Sequence, residues 1–328
     1  MTPKPNRGRG GPPRPGGAPR SGGAPRSGGA PRSGGLPRSG GAPRSGGLPR
    51  SGGAPRSGSA PRASGGSPRS GSFSRPRPAD GELGGEQVEG RRAVRELLAA
   101  GRRPVRDVWV SETLDEGPLV AEILELADAG GITLRRVPRS RLDAEARTDA
   151  AQGVLAHARP LAPTDLADLC ERRGQEPVPF LVVLDGVTDP QNVGAILRTA
   201  EIAGATGIVL PKHRSAHITP TVAKAAAGAI EYLRFAVVPG IPAALSALGE
   251  LGVWTVGLDS EAERPVWQLD LATQPIALVL GAEGSGLSRL ARARCDVVVG
   301  IPQRGRISSL NVAAAAAIAA LEISRRRA

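Results

Sequence analysis

Residues 179–328 read as an α/β protein with a mostly parallel sheet, preceded by a smaller α/β unit over residues 86–160, a linker over 161–178 and a disordered tail over 1–85. Three observations predict this. Short β-branched runs alternate with helix-period segments from Val88 to the end, the pattern of strand–helix crossovers. Several of the later strands run directly into turns rich in Gly, Asn and Ser. The formal charge of +12 on the 328 residues is concentrated at one end: up to Asp80 there are 15 Lys+Arg against one acid, and beyond it 28 against 30. The basic character therefore belongs to the tail, and the rest has the balance of an ordinary folded protein.

The tail repeats A/L-P-R-S-G-G, with a proline every six residues from Pro19 to Pro61. Solenoid repeats run about 20–50 residues, so this is low-complexity sequence. Up to Asp80 its large apolar side chains are Met1, Leu36, Leu48 and Phe73, too few to offset roughly 1–2 kcal/mol of backbone ordering per residue. Arginines spaced along a flexible chain can neutralise phosphates without reading sequence, which favours RNA contact; a solubilising spacer is the plainer alternative.

In the first unit, Val88, Val94, Leu97 and Leu98 predict a helix over Val88–Ala100, stopped by Gly101. Asp107–Val110 follows as a strand, Leu119–Ala129 as a helix ending at Gly130-Gly131, Ile132–Val137 as a strand, Arg139–Arg147 as a polar helix and Gly153–His157 as a closing strand. Arg91, Arg92, Arg95, Arg102, Arg103 and Arg106 cluster at its start, and Arg135, Arg136, Arg139 and Arg141 later. Such clusters are either solvated faces or an RNA contact.

The second unit opens with a buried strand, Phe180–Leu184. Thr188, Asp189 and Pro190 are helix-start signals, and Val193, Ile196, Leu197, Ala200 and Ala203 form the inward stripe of the helix that follows. Gly194, Arg198 and Glu201 lie on a second face, where Gly194 would leave open space before the guanidinium. Taken by itself, Arg198 reads more simply as half of a surface ion pair with Glu201. Asn192 sits at the helix mouth. Gly207–Leu210, Phe235–Val238, Val253–Leu258, Ile276–Leu280 and Val297–Ile301 read as strands, with helices over Pro220–Ala227 and Pro242–Leu251 and an Ala-rich helix at the end. Ligands of open α/β sheets collect at the carboxyl ends of strands. Three such ends carry unusual residues: Gly257, the run Gly281-Ala-Glu283-Gly-Ser-Gly286, and the stretch from Ile301 to Asn311. The glycine run is neither the dinucleotide fingerprint nor a P-loop.

Taken together, D-P-Q-N-V-G-A-I-L-R-T-A (189–200), L-G-A-E-G-S-G-L (280–287) and I-P…S-S-L-N-V-A-A-A (301–315) resemble, in order and spacing, the three motifs of the SpoU/TrmH family of SPOUT RNA 2′-O-ribose methyltransferases. Residues 86–160, ending in Gln152-Gly153-Val154, look like that family's substrate-binding domain of ribosomal-protein L30e type. The two-unit form and the R-S-A-x-x-T-P-T-V-x-K pattern before Ala225 are most similar to the members that methylate a guanosine ribose in bacterial 23S rRNA; tRNA, or a non-catalytic role in ribosome assembly, are the alternatives. The resemblance implies a C-terminal trefoil knot, a homodimer and S-adenosylmethionine as methyl donor. Gly281, Ile301 and Leu310 match cofactor-binding positions, and Gly257 is added for its place at a strand end. Arg198 matches the catalytic arginine. A guanidinium stays protonated below pH of about 12, so its expected work is to grip a phosphate and stabilise developing negative charge. Asn192, Glu283, Ser309 and Asn311 match further site positions, the two asparagines organising the pocket and Glu283 orienting its neighbours or the guanine.

Cys170 and Cys295 are far apart and fit neither a disulfide framework nor a zinc site. No stretch approaches the about 18 apolar residues of a membrane span, and the N-terminus lacks the apolar core of a signal peptide. A reduced, cytoplasmic protein with RNA as partner, without DNA, membrane or metal, is expected. His213 and His217 have the numerical spacing of a metal or acid–base pair but flank a proline-bounded loop. Trp109, Trp254 and Trp267 are expected in cores or interfaces, and Tyr232 and Phe235 at a dimer contact.

Overall fold

The computed structural model describes residues 83–115, 117–148, 151–172, 174–213, 218–307 and 309–328. The repeat tail and His217 lie outside them. The first sheet is built from β1 (Gln87–Glu89), β2 (Val105–Ser111), β3 (Thr133–Val137) and β4 (Val154–Ala158), in the order β1-β4-β2-β3. β4 runs antiparallel to both of its neighbours, while β2 and β3 are parallel. Helices α1 (Arg91–Ala100) and α2 (Pro118–Ala129) cover one face through Val94, Leu97 and Ile123, and α3 (Arg139–Glu145) packs Leu142 beside Trp109. Val88, expected in the first helix, belongs instead to β1. Gly90, at φ 95°, turns the chain sharply between the two elements, a conformation open to glycine at little cost.

A short helix α4 (Leu166–Cys170) precedes the second sheet. This sheet comprises β5 (Phe180–Asp185), β6 (Gly207–Pro211), β7 (Phe235–Val238), β8 (Trp254–Leu258), β9 (Ile276–Gly281) and β10 (Val297–Val299), all parallel, in the order β10-β8-β9-β5-β6-β7. The alternation of a strand's side chains explains its apolar runs. Phe180, Val182 and Leu184 enter one core with α5 (Pro190–Ile202), α6 (Pro220–Ala225) and α9 (Val312–Arg327), whereas Leu181 and Val183 enter another with α4, α7 (Ile241–Glu250) and α8 (Arg289–Arg294). The result is three layers, helices on both sides of the sheet. The stripe Val193, Ile196, Leu197, Ala200 and Ala203 is buried as expected. The short α8 had no counterpart in the sequence pattern.

Several expected placements differ. Gly194 does not leave open space: a Cβ there would meet Ala225 Cβ at 2.3 Å, so it serves the tight packing of α5 on α6. Phe235 is 1% exposed and belongs to the core, so it cannot line a surface contact, while Tyr232 is exposed. Trp267 is also exposed. Arg103, expected on a solvated or RNA-facing surface, is buried. Leu83 and Leu161 are packed into the second sheet's core, so ordered chain begins before residue 86 and the expected linker is itself part of the packing. Among the described residues no helix is long and apolar enough to cross a membrane.

Candidate active site

The sheet reverses its direction of growth at β5: the chain adds β6 and β7 on one side, then crosses to β8 and inserts β9 between β8 and β5. Beyond the carboxyl ends of β8 and β9 lies a cavity of about 360 Å³, within the range of small-ligand sites. Leu258, Asp259 and Ser260 line it from the end of β8, Leu280 to Glu283 from the end of β9, Ile301 and Gln303 from the segment after β10, and Ser309 to Val312 from the start of α9.

The wall after β9 depends on glycine. A Cβ on Gly281 would come within 2.1 Å of the Gly286 carbonyl carbon and 2.2 Å of the Leu287 nitrogen. The loop closes on itself through reciprocal bonds between Ala282 and Gly286 at 3.0 and 2.9 Å. Backbone thus forms the wall, and any side chain on Gly281 would push the loop outward.

Side chains from the three motif segments meet at the rim. Asp189 caps α5 by accepting from the amides of Gln191 and Asn192. The amide Nδ2 of Asn192 donates to Glu283 Oε1 at 2.8 Å, and Asn311 Nδ2 donates to Asn192 Oδ1 at 2.9 Å. Asn311 also caps α9, its Oδ1 accepting from Ala313 and Ala314 at 2.9 and 3.3 Å. One hydrogen-bonded chain, Asn311–Asn192–Glu283, therefore joins residues far apart in sequence. Gly281, Glu283, Ile301, Ser309, Leu310 and Asn311 all lie on the cavity wall, and Asn192 stands behind Glu283 and Asn311.

Two expected residues are elsewhere. Gly257 is one residue short of the wall; a Cβ there would meet Leu287 at 2.8 Å and Cys295 Sγ at 3.0 Å, and it is Leu258 that faces the cavity. Arg198 is exposed on α5 and borders a separate groove with Arg92 and Arg95 of α1 and Tyr232. It makes no ion pair with Glu201, and among the described residues its guanidinium has no hydrogen-bond partner. His213 is exposed, and among the described residues no cluster of His, Cys, Asp or Glu could hold a metal.

The sequence reading missed Asp259 and Asp185. The Asp259 carboxylate accepts from Arg292 Nε at 2.8 Å and from the Glu261 amide at 2.9 Å. Burial works against its charge, yet the Glu261 amide and the Arg292 guanidinium outweigh it and hold the carboxyl below the usual range. Asp185, at the end of β5, accepts from the Ser288 amide at 2.8 Å and so ties down the exit of the glycine loop. Both carboxylates stand at strand ends, the signal that singled out the glycines.

The charged side chains on the described wall are Asp259 and Glu283, both acidic. Backbone walls, apolar Leu258, Ile301 and Leu310, and this negative charge suit a ligand with an aromatic base and a cationic centre. Fold and cavity together define an α/β protein with a ligand-sized site at the carboxyl ends of its strands. A model of the SpoU rRNA methylase family matches residues 179–321, and one for RNA 2′-O ribose methyltransferase substrate binding matches residues 87–164. The 23S rRNA (guanosine-2′-O-)-methyltransferase RlmB of Pseudomonas putida is 40% identical over 245 residues, covering 74% of this chain and 97% of that protein. RlmB of Photobacterium profundum is 37% identical over 75% and 99%. The SpoU methyltransferase AviRb of Streptomyces viridochromogenes, solved in complex with AdoMet, superposes with a TM-score of 0.61 at 26% identity, covering 74% of this chain and 90% of that one. An AdoMet-bound rRNA methyltransferase of Sinorhizobium meliloti gives 0.59 at 26% identity, over 73% and 87%. The chain belongs to the SpoU family: it is an RNA 2′-O-ribose methyltransferase with S-adenosylmethionine as methyl donor.

Proposed function

We propose that the chain methylates the ribose 2′-hydroxyl of a guanosine in 23S rRNA, as a homodimer in the cytoplasm. The observation that carries this reading is the Asn311–Asn192–Glu283 chain at the mouth of a glycine-walled cavity, in a protein 40% identical to an enzyme of that specificity. When bound, the cofactor supplies a methyl group already activated by its sulfonium charge. The protein's task is then to hold the hydroxyl in line and favour its alkoxide.

Gly281, Ile301 and Leu310, joined by Leu258, would hold the cofactor, with Glu283 offering negative charge to its cationic centre and Asp259, paired with Arg292, fixing the wall beside it. Asn192 fixes one oxygen of Glu283, leaving the other to meet the guanine edge or a ribose hydroxyl. Asn311 locks Asn192 in turn, and Ser309 adds a hydroxyl to the same rim. Gly257 serves as the spacer that lets Leu287 and Cys295 close against β8.

Arg198 is outside its own chain's cavity, which supports a site completed by a second copy. Exposed Ile318 and Leu321 on α9, three residues apart, and Ile202 on α5 provide apolar surface for that contact. In the dimer Arg198 would grip the phosphate beside the target ribose and stabilise the developing oxyanion. The sheet order, with β9 entering between β5 and β8, accords with the knotted path that the resemblance implies.

Incubation with methyl-labelled S-adenosylmethionine and separate 23S rRNA and tRNA pools tests the proposal, with nucleotide-resolution mapping of 2′-O-methyls. The expected product is one 2′-O-methylguanosine in 23S rRNA. Label confined to tRNA, or none in either pool, overturns the substrate assignment.

A further inference from the structure

The four-stranded unit is not carried on a single linker. Its chain enters from Leu83 and leaves through Leu161, both packed in the core of the six-stranded unit, and these two residues pair as an antiparallel bridge, Leu161 N donating to Leu83 O at 2.8 Å. The unit therefore stands on a two-stranded stem. The stem is pinned to the larger unit on both strands: Gly84 N donates to Ile218 O at 2.8 Å, and Thr164 N to Phe235 O at 2.7 Å.

One side chain from the small unit reaches across this stem. Arg103 donates through Nη2 to Gly85 O on the incoming strand at 2.6 Å, through Nε to Arg159 O on the outgoing strand at 2.6 Å, and through Nη1 to Glu231 Oε1 of the larger unit at 2.9 Å. Both members of the Arg103–Glu231 pair have side chains only 1% exposed. Arg102 beside it donates to the carbonyls of Glu231 and Leu233, each at 2.9 Å, and Tyr232 donates back to Glu96 at 2.7 Å. Contacts between units that move are ordinarily wet and polar. A dry ion pair is different, because separating its members leaves each charge buried without a partner.

We infer that Arg103 and Glu231 are positioning residues that clasp the stem and fix the small unit at one angle, so that the nucleotide is selected by a set distance between RNA held on the small unit and the methyl-donor cavity. This rests on the 23S rRNA reading for its substrate, though not for the clasp itself. The clasp explains why the tightest contacts of Arg103 fall on the two stem strands and not on the sheets. A flexibly tethered RNA-binding unit would raise the local concentration of RNA without choosing the site.

Two double variants of the full chain test it. Arg103→Leu with Glu231→Leu removes the charges and keeps the volume. Arg103→Leu with Glu231→Gln also breaks the Arg103–Glu231 pair but leaves a polar side chain at position 231, and it decides by the same criteria if the first variant fails to fold. In each we expect unchanged calorimetric affinity for S-adenosylmethionine and faster hydrogen exchange at the Gly84 and Thr164 amides. We also expect KM for 23S rRNA to rise about tenfold, as for one lost charge-assisted bond, and 2′-O-methyls to appear at additional nucleotides. Faster exchange with one modified nucleotide and wild-type KM would overturn the role in site selection. Unchanged exchange would overturn the clasp. If the wild type modifies no 23S rRNA the substrate reading fails, and the exchange measurement still decides whether the stem is clasped.

Discussion

Around the methyl-donor cavity, position is set by backbone: Gly281 lies against the Gly286 carbonyl, and the loop is fastened by its own amides and by short amide and carboxylate side chains. At the stem between the two sheets, position is set by long charged side chains that meet away from solvent. The first arrangement leaves an open, ligand-sized space, because backbone walls occupy little volume and satisfy their own polar groups. The second ties two bodies together, because each buried charge depends on its partner. Recognition and placement are thus handled by different chemistry, and substitutions can perturb one without the other.

The largest effect is expected at the stem. Arg103→Ala leaves Glu231 buried without its partner and should cost about 3–5 kcal/mol of stability. The pH dependence has a definite sign. Burial pushes the Glu231 carboxyl above the usual carboxylate range, against the pull of Arg103 and Arg102. A carboxyl raised on folding contributes stability that is complete below its unfolded pKa, about 4.3, and is lost as pH rises through the folded value. Without Arg103 this loss deepens, so the variant's deficit should be greatest near neutrality and shrink as pH falls toward about 4. Urea unfolding of both proteins across that range checks it; parallel pH profiles would break the contrast by showing that the seam does not depend on charge.

Next in size is Arg198→Ala. Removing an oxyanion-stabilising donor costs roughly 10²–10³-fold in rate, and since Arg198 lies off its own cavity wall, affinity for S-adenosylmethionine should be unchanged. Single-turnover transfer and calorimetry on the same sample separate the two. A parallel loss of cofactor affinity would place Arg198 with the cavity after all.

Gly281→Ala should act in the reverse sense. Its Cβ would overlap backbone at 2.1 and 2.2 Å, and overpacking of about 1–3 kcal/mol corresponds to a roughly 5–150-fold loss of cofactor affinity. Hydrogen exchange at the Gly84 amide should stay as in the wild type. If it accelerates, cavity and stem are coupled and the contrast between them is weaker than drawn.

The same division governs how much could be read from sequence. Strand and helix periodicities foretold the second sheet and the inward stripe of α5, because burial on both faces writes continuous apolar runs and burial on one face writes a helical stripe. The cavity residues Gly281, Glu283, Ile301, Ser309, Leu310 and Asn311 could be picked out because loops at strand ends in this fold converge. Val88 has the spacing of the helix that follows it, yet its backbone pairs with Ala156 of β4 and the positive φ of Gly90 separates it from α1. Arg103 and Glu231 are 128 residues apart; an arginine within a run of arginines gives no local sign that it will turn inward. Asp259 carries no local signal because nothing near it repeats, although it directly follows β8.

The smallest expected effect, and the one that bears on both halves of the catalytic rim, is at Asn311. Its side chain caps α9 and holds Asn192, which in turn holds Glu283. Loss of an N-cap costs about 0.5–2 kcal/mol of stability, so Asn311→Ala alone should lower the unfolding midpoint modestly. Asn311→Asp keeps the capping oxygen but has no amide hydrogen to give Asn192, and it places a carboxylate near Glu283. If the cap is all that matters, Asp restores both stability and transfer. If the Asn311–Asn192–Glu283 chain orients the rim, Asp restores stability while transfer stays low, and that separation of the two readouts is the expected result.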